Sequence, residues 1–287
     1  MEIAQKVIHC ELGEKINIYT LGDVHEGNCN HAENEFKEAV KIIEDDPNGY
    51  WIGMGDYIEA ITTDDKKRFD PLSIHPKYRI QDLKNLPKKQ MNNFHNIVEP
   101  IEGKCLALLA GNHEEAFTKH NSFDVYGHLI ESFKTSAFKA GQPPAKLGYI
   151  GFLKISIIYD KGRSGPNRTV TFALNHGDGG GGFREGYPLN KVHDVFRWTH
   201  ADVCLMGHLH KLVSDRKPFI GVSQSNQLIR SKRFYGMTGC FLKTYVDGNR
   251  NYFEHKGRSE SDIGMLKTEI TVKRPTLQIR LQEVNLD

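Results

Sequence analysis

KINIYTLGDVH, residues 15–25, alternates its apolar side chains and then stops at Gly22-Asp23. That pattern predicts a strand running into a loop. The same ending recurs along the chain. The apolar run 50–54 leads into Gly55-Asp56, 105–110 into Gly111-Asn112-His113, and 203–206 into Gly207-His208. Between the first two runs, Phe36, Ala39, Val40 and Ile43 fall at helical spacing within 32–45, and Pro47-Asn48-Gly49 supplies the stop. Strands alternating with helices predict an α/β fold. In open α/β sheets ligands bind beyond the carboxyl ends of the strands. Four strand ends, each closed by glycine and a polar residue able to hold a metal, therefore predict one site assembled from distant parts of the chain.

Further along, 62–100 is polar and broken by Pro71, Pro76 and Pro87, with a longer helix expected near 88–98. Residues 148–159 and 168–175 read as strands joined by the turn KGRSGPNR, residues 161–168. The segments CFLKTYV (240–246), TEITVK (268–273) and TLQIRLQEV (276–284) read as a strand-rich tail from about 239. The expected organisation is a single domain over 1–287, with an insertion at about 62–100.

The composition sets limits. The chain has 287 residues, with 38 Lys+Arg against 36 Asp+Glu, a net charge of +2 that excludes a uniformly basic nucleic-acid coat. Its 15 Phe and 11 Tyr exclude a disordered chain. No run approaches the roughly 20 apolar residues needed to cross a membrane, and the N-terminus shows no secretory h-region. The five cysteines are odd in number and scattered, which predicts free thiols in a reducing cytoplasm. Fourteen histidines direct attention to imidazole chemistry.

Five fragments carry that chemistry: Gly22-Asp23-Val24-His25, Gly55-Asp56, Gly111-Asn112-His113-Glu114, Asn175-His176-Gly177 and Gly207-His208-Leu209-His210. Carboxylate, amide and imidazole together suit Mn, Fe or Zn better than Ca or a thiolate site. Seven side chains exceed one tetrahedral ion and suit two ions bridged by a carboxylate. Two such ions activate a water between them and neutralise a phosphoryl group.

The five motifs, in this order, resemble the calcineurin-like metallophosphoesterase superfamily: DxH, GD, GNH(D/E), a lone His and GHxH, each following a strand. The match spans Asp23 to His210, about two thirds of the chain. The resemblance implies a four-layer αββα sandwich with a dimetal site at the carboxyl ends of the strands. It implies that Asp23, His25 and His210 hold one divalent ion and Asn112, His176 and His208 the other, with Asp56 bridging. Manganese is the expected metal, with Fe, Zn, Ni or Co as alternatives. The resemblance also implies that His113 is not a ligand but faces the substrate and assists the leaving group, while a hydroxide between the ions attacks phosphorus.

Protein phosphatases of this superfamily carry GDxxDRG, with arginines that clamp a terminal phosphate. Here Asp56-Tyr57-Ile58-Glu59-Ala60 has no arginine, so a phosphodiester is the expected substrate, on a nucleotide or DNA. A phosphomonoesterase or nucleotide phosphatase is the alternative, and a non-catalytic scaffold binding protein partners is a second one. Basic clusters at 66–68, 77–79, 88–89 and 230–233 would hold a polyanion if they ring the mouth of the site. The run Gly179–Gly182 after the lone His would let backbone approach a phosphate. A homo-oligomer is compatible with the sequence, and no membrane contact is expected.

Overall fold

The structure is a computed structural model and describes every residue except 122, 134–137, 160–167, 181–183, 185, 249–256 and 275. In chain order the elements are β1 (Glu2–His9), β2 (Lys15–Leu21), α1 (Glu33–Asp45), β3 (Gly49–Gly53), α2 (Leu86–Val98), β4 (Cys105–Leu108), α3 (Asn112–Asn121), α4 (Val125–Ser132) and β5 (Ala145–Lys146). They continue as β6 (Ile150–Ile158), β7 (Arg168–Asn175), α5 (Tyr187–Phe196), β8 (Val203–Met206), β9 (Leu212–Val222), β10 (Leu228–Thr238), β11 (Gly264–Val272) and β12 (Leu277–Asn285). They build two six-stranded mixed sheets, ordered β1-β6-β7-β8-β10-β9 and β12-β11-β2-β3-β4-β5.

The layering follows from strand periodicity. Alternate residues of a strand point to opposite faces. In β2, Ile16 and Ile18 enter the core between the two sheets, where they join Ile52, Leu106, Leu153, Ile155, Phe172 and Leu205. Tyr19 and Leu21 point the other way, into a core with Phe36 and Ile43 of α1, Phe94 of α2 and Leu129 of α4. The sheet that holds β7, β8 and β10 turns Ala173, Cys204, Met206 and Met237 outward against Val192 and Phe196 of α5. Helix, sheet, sheet, helix is the αββα sandwich. Central strands buried on both faces leave little room for polar residues. Full burial contributes about 1.5–3 kcal/mol for each large apolar side chain.

Strands β2, β3 and β4 are mutually parallel, as are β7 and β8. Their carboxyl ends therefore open on one edge of each sheet. Residues 62–100 form two 3₁₀ turns, Pro71–Ser73 and Ile80–Asn85, followed by α2. The segment seats on the loop after His25. Cys29 donates its N–H to the Ser73 carbonyl at 2.7 Å, and His75 donates to Gly27 at 2.9 Å. Lys77 reaches Glu26 at 2.8 Å and Glu33 at 3.1 Å, and the Tyr78 hydroxyl donates to Glu26 at 2.7 Å.

Several sequence expectations need correction. CFLKTYV is not a strand. Among the described residues it makes isolated bridges, including Cys240 with Ile263 and Leu242 with His31. Its backbone is engaged elsewhere: Phe241 donates to the Asp23 carbonyl at 2.9 Å, and Thr244 donates to the Ser261 hydroxyl at 3.1 Å. Alternating apolar residues there fill a loop that closes on the site. The basic cluster 230–233 does not border the mouth. Strand β10 runs parallel to β8, so at about 3.3 Å per residue Arg230 lies roughly 25 Å from Thr238 at the site end. The turn KGRSGPNR, apart from Arg168, and Gly181-Gly182 lie outside the described residues.

Candidate metal centre

Each candidate ligand sits one to four positions beyond a strand end. The glycines preceding them have a steric reason. A Cβ on Gly111 would stand 2.0 Å from the Asp56 nitrogen, and one on Gly55 would stand 2.7 Å from His176 Nδ1. The loops carrying Asp56, Asn112 and His176 thus pack backbone to backbone, which brings three motifs distant in sequence within ligand reach.

Asp23, His25, Asp56, His208 and His210 all have φ between 50° and 71°. Left-handed backbone costs a non-glycine residue about 1–2 kcal/mol. Among the described residues only Ala60 and Asn226 share it outside glycine. Strain concentrated on these five is the signature of a site held in place by the surrounding fold.

The donor atoms converge. Ligand atoms of Asp23, His25 and His210 lie within 4.8 Å of one another, as do those of Asp23, Asp56, His176 and His208. Asp56 Oδ2 lies 3.3 Å from His176 Nε2 and 3.9 Å from His25 Nε2, while Oδ1 accepts the His113 N–H at 2.9 Å. Asn112 Oδ1 lies 3.0 Å from His176 Nε2, and the Nε2 atoms of His25 and His210 are 3.3 Å apart. Asp23 Oδ1 is buried with no hydrogen-bond donor. All seven predicted donors are therefore gathered in one cluster.

The outer hydrogen bonds orient the rings. His176 Nδ1 donates to the Met54 carbonyl at 2.7 Å, His25 Nδ1 to Glu59 Oε2 at 3.2 Å, and His208 Nε2 to the Gly179 carbonyl at 2.9 Å. Each bond leaves the opposite ring nitrogen with its lone pair directed inward, the tautomer a metal needs. Gly179 thus serves the site through its carbonyl.

The electrostatics favour added positive charge. Burial opposes the charged form of His176, yet Asp56 and Asp23 push it up to about 10. Burial likewise opposes ionisation of Asp56, but the imidazoles of His176 and His113 hold its carboxyl well below the usual range. Carboxylates that draw protons onto buried imidazoles, together with an undonated carboxylate oxygen, fit divalent cations.

His113 stands apart from the inner cluster. Its Nδ1 donates to the Glu59 carbonyl at 2.6 Å, its Nε2 lies 4.0 Å from Asp56 Oδ2, and its ring meets His25 edge to face at 4.6 Å. Burial opposes its charge, but Asp56 and Glu59 raise its pKa.

Two carboxylates outside the predicted donor set support it, and one of them, Glu59, was given no role by sequence reasoning. Glu59 backs both His25 and His113. Burial works against its charge, and His113 and His25 hold it at about 2. Glu114 is buried and accepts backbone N–H bonds from Tyr57 at 2.7 Å, Gly111 at 3.1 Å, and Asp56 and Ile58 at 3.2 Å, clamping the turn that presents Asp56. The position of Glu59, three residues after Asp56 in the same strand-end loop, is the one signal that could have marked it.

The αββα fold and the gathering of the five motifs at the strand ends agree with what the resemblance to calcineurin-like metallophosphoesterases implied. No protein-family model matches the chain, and no curated protein matches its sequence. Solved structures do. A predicted phosphoesterase of Streptococcus pneumoniae is 10% identical with a TM-score of 0.30, over 94% of this chain and 90% of that one. Zinc-bound Vps29 of Entamoeba histolytica is 8% identical with a TM-score of 0.35, over 95% and 100%. The NAD nucleotidase of Haemophilus influenzae is 9% identical with a TM-score of 0.40, over 95% of this chain and 50% of that one. TM-scores this low carry no argument about activity.

Proposed function

We propose that this protein is a metal-dependent phosphoesterase, with phosphodiesters of nucleotides or DNA as its substrates. The observation that carries the proposal is the convergence of Asp23, His25, Asp56, Asn112, His176, His208 and His210 into one largely buried cluster, five of them on strained backbone. Asp23, His25 and His210 would hold one divalent cation and Asn112, His176 and His208 the other, with Asp56 shared. Manganese suits this donor set, and Fe, Zn, Ni or Co are the alternatives. Bound cations supply the charge that acidifies water and screens the phosphoryl oxygens.

The chain's own residues do the rest. Asp56 is placed at the centre by the four N–H bonds to Glu114 that fix its turn. His113, with its Nδ1 held by the Glu59 carbonyl, presents Nε2 as a proton donor. Water attacks phosphorus, the bond from phosphorus to the leaving oxygen breaks, and that oxygen takes the His113 proton. The products are a monoester and an alcohol. A His113 pKa above the ordinary value suits this role. The lack of an arginine in 56–60 favours a diester over a terminal phosphate. Five free cysteines agree with a reducing compartment, and no helix among the described residues is long and apolar enough to cross a membrane.

The test uses chelator-stripped protein with Mn²⁺ added back, on bis-p-nitrophenyl phosphate and p-nitrophenyl phosphate. Metal-dependent cleavage that favours the diester is expected, and Asp56→Asn should lose both bound metal and activity. Equal rates without added metal, or an Asp56→Asn protein that keeps two ions and a normal rate, would refute the proposal.

A further inference from the structure

We propose that the cavity at the Asn112 and His208 side of the site is a subsite for one uncharged, nucleoside-sized group, the part of a diester that stays on the phosphate. This inference rests on the phosphodiesterase reading above. The cavity measures about 310 Å³ and is lined by Asn112, His208, Tyr149, Glu115, Asp178 and Gly179.

Its place defines which part of the substrate it meets. The Tyr149 ring stands edge to face against His176, with centroids 5.8 Å apart, and Asn112 Oδ1 is 3.0 Å from His176 Nε2. A phosphoryl group held by the cluster is therefore beside Tyr149. His113 packs on a different set of partners, His25 and the Glu59 carbonyl. A diester spanning both puts its leaving oxygen at His113 and its retained group in the cavity.

The lining defines the chemistry. Tyr149 offers an aromatic wall for a planar base, and base stacking on an aromatic side chain contributes about 1–3 kcal/mol. The carboxylates of Glu115 and Asp178 accept hydrogen bonds from sugar hydroxyls or base amino groups. Among the described residues Lys119 lies 3.0 Å from Glu115 and Lys191 3.4 Å from Asp178, both lysines exposed or half-exposed, and the Tyr149 hydroxyl donates to Glu115. Among the described residues no Lys or Arg lines the cavity, so its wall offers no cation to a further phosphate. The volume lies at the low end of ligand pockets, about 300–1,000 Å³. Three of the basic residues expected to hold a polyanion are already paired. Arg68 pairs with Asp65, Lys77 with Glu26 and Lys89 with Asp82, while 230–233 lies at the far end of β10. The structure thus favours a mononucleoside ester over a polynucleotide.

The experiment compares thymidine 5′-(p-nitrophenyl phosphate) with methyl p-nitrophenyl phosphate, which share a leaving group, on the Mn²⁺-loaded protein. The wild type should prefer the thymidine ester by about tenfold or more in kcat/KM, mostly through KM, as stacking of this size requires. Tyr149→Ala should bring the ratio of the two substrates close to one, and Tyr149→Phe should keep the preference. A wild-type ratio near one, or a preference that survives Tyr149→Ala, overturns the subsite. A short oligothymidylate cut as efficiently per bond as the thymidine ester overturns the single-nucleoside limit. If the wild type cleaves neither chromogenic ester, the phosphodiesterase reading itself falls. Calorimetric binding of thymidine then decides the subsite: weakening by about tenfold in Tyr149→Ala upholds it, and equal or absent binding overturns it.

Discussion

Replacing Glu59 by glutamine removes one negative charge from a buried side chain and leaves its shape. Glu59 is only 7% exposed, and its Oε2 accepts from His25 Nδ1 at 3.2 Å. Burial opposes the charge, yet His113 and His25 hold the carboxyl at about 2, so it is ionised throughout the working pH range. The charge makes His25 Nε2 a better donor toward a cation. Removing the group behind a ligating histidine typically costs about 10–100-fold in metal affinity or activity. Glutamine keeps an oxygen that accepts the Nδ1 hydrogen, so Glu59→Gln should fall near tenfold. Glu59→Ala leaves a buried N–H unpaired, which costs about 1–3 kcal/mol more, and should approach hundredfold. The His113 bond is to the Glu59 backbone carbonyl at 2.6 Å and survives both substitutions. The loss of the Glu59 charge also removes one of the groups that raise the His113 pKa, so the preference for good leaving groups should sharpen modestly. The assay is competition for Mn²⁺ with a chromogenic chelator, run alongside hydrolysis of diesters of graded leaving-group pKa. Wild-type metal affinity in Glu59→Gln would refute this placement of the carboxylate.

Substituting His113 by alanine should leave metal stoichiometry intact and lower the rate by about 10²–10⁴-fold. The loss should be smallest for nitrophenyl esters, whose leaving group needs no proton, and uniform losses would reduce His113 to substrate positioning. The Glu26 carboxyl is held at about 2, against burial, by His31, Lys77 and Tyr78. A lowered carboxylate pKa stabilises the fold fully above the unfolded value near 4.5, and that stability is lost as pH falls from about 4.5 to 2. At about 1.4 kcal/mol per unit the contribution is about 3 kcal/mol. Because Lys77 and Tyr78 belong to the segment seated over the His25 loop, acid should first expose 62–100 to limited proteolysis. Glu26→Gln should expose it already at neutral pH, and identical cleavage profiles for the two proteins would show that this ion pair does not hold the segment.

The strand ends were legible because their causes are local. A strand declares itself by its period, as in 15–21, and its end by the glycine the tight loop requires, so Asp23, Asp56, Asn112 and His208 could be marked residue by residue. The sandwich was expected from the family resemblance. Apolar runs short enough for strands, buried on both faces, agree with it. Local pattern also misled where it stood alone: CFLKTYV has a strand's alternation, but its backbone bonds go to Asp23 and Ser261.

What the chain could not declare depends on neighbours far along it. Glu114 clamps a turn more than fifty residues away, and Glu59 meets His25 across 34. Nothing in the sequence around Tyr149 shows that β6 begins beside His176. Nor does a run of basic residues at 230–233 reveal that a parallel strand carries it to the end remote from the site. Sequence by itself determined which side chains can bind metal and that they follow strands. Only the tertiary structure decided which of them face one another, on which backbone strain, and between which carboxylates, because those are properties of distances that no local period encodes.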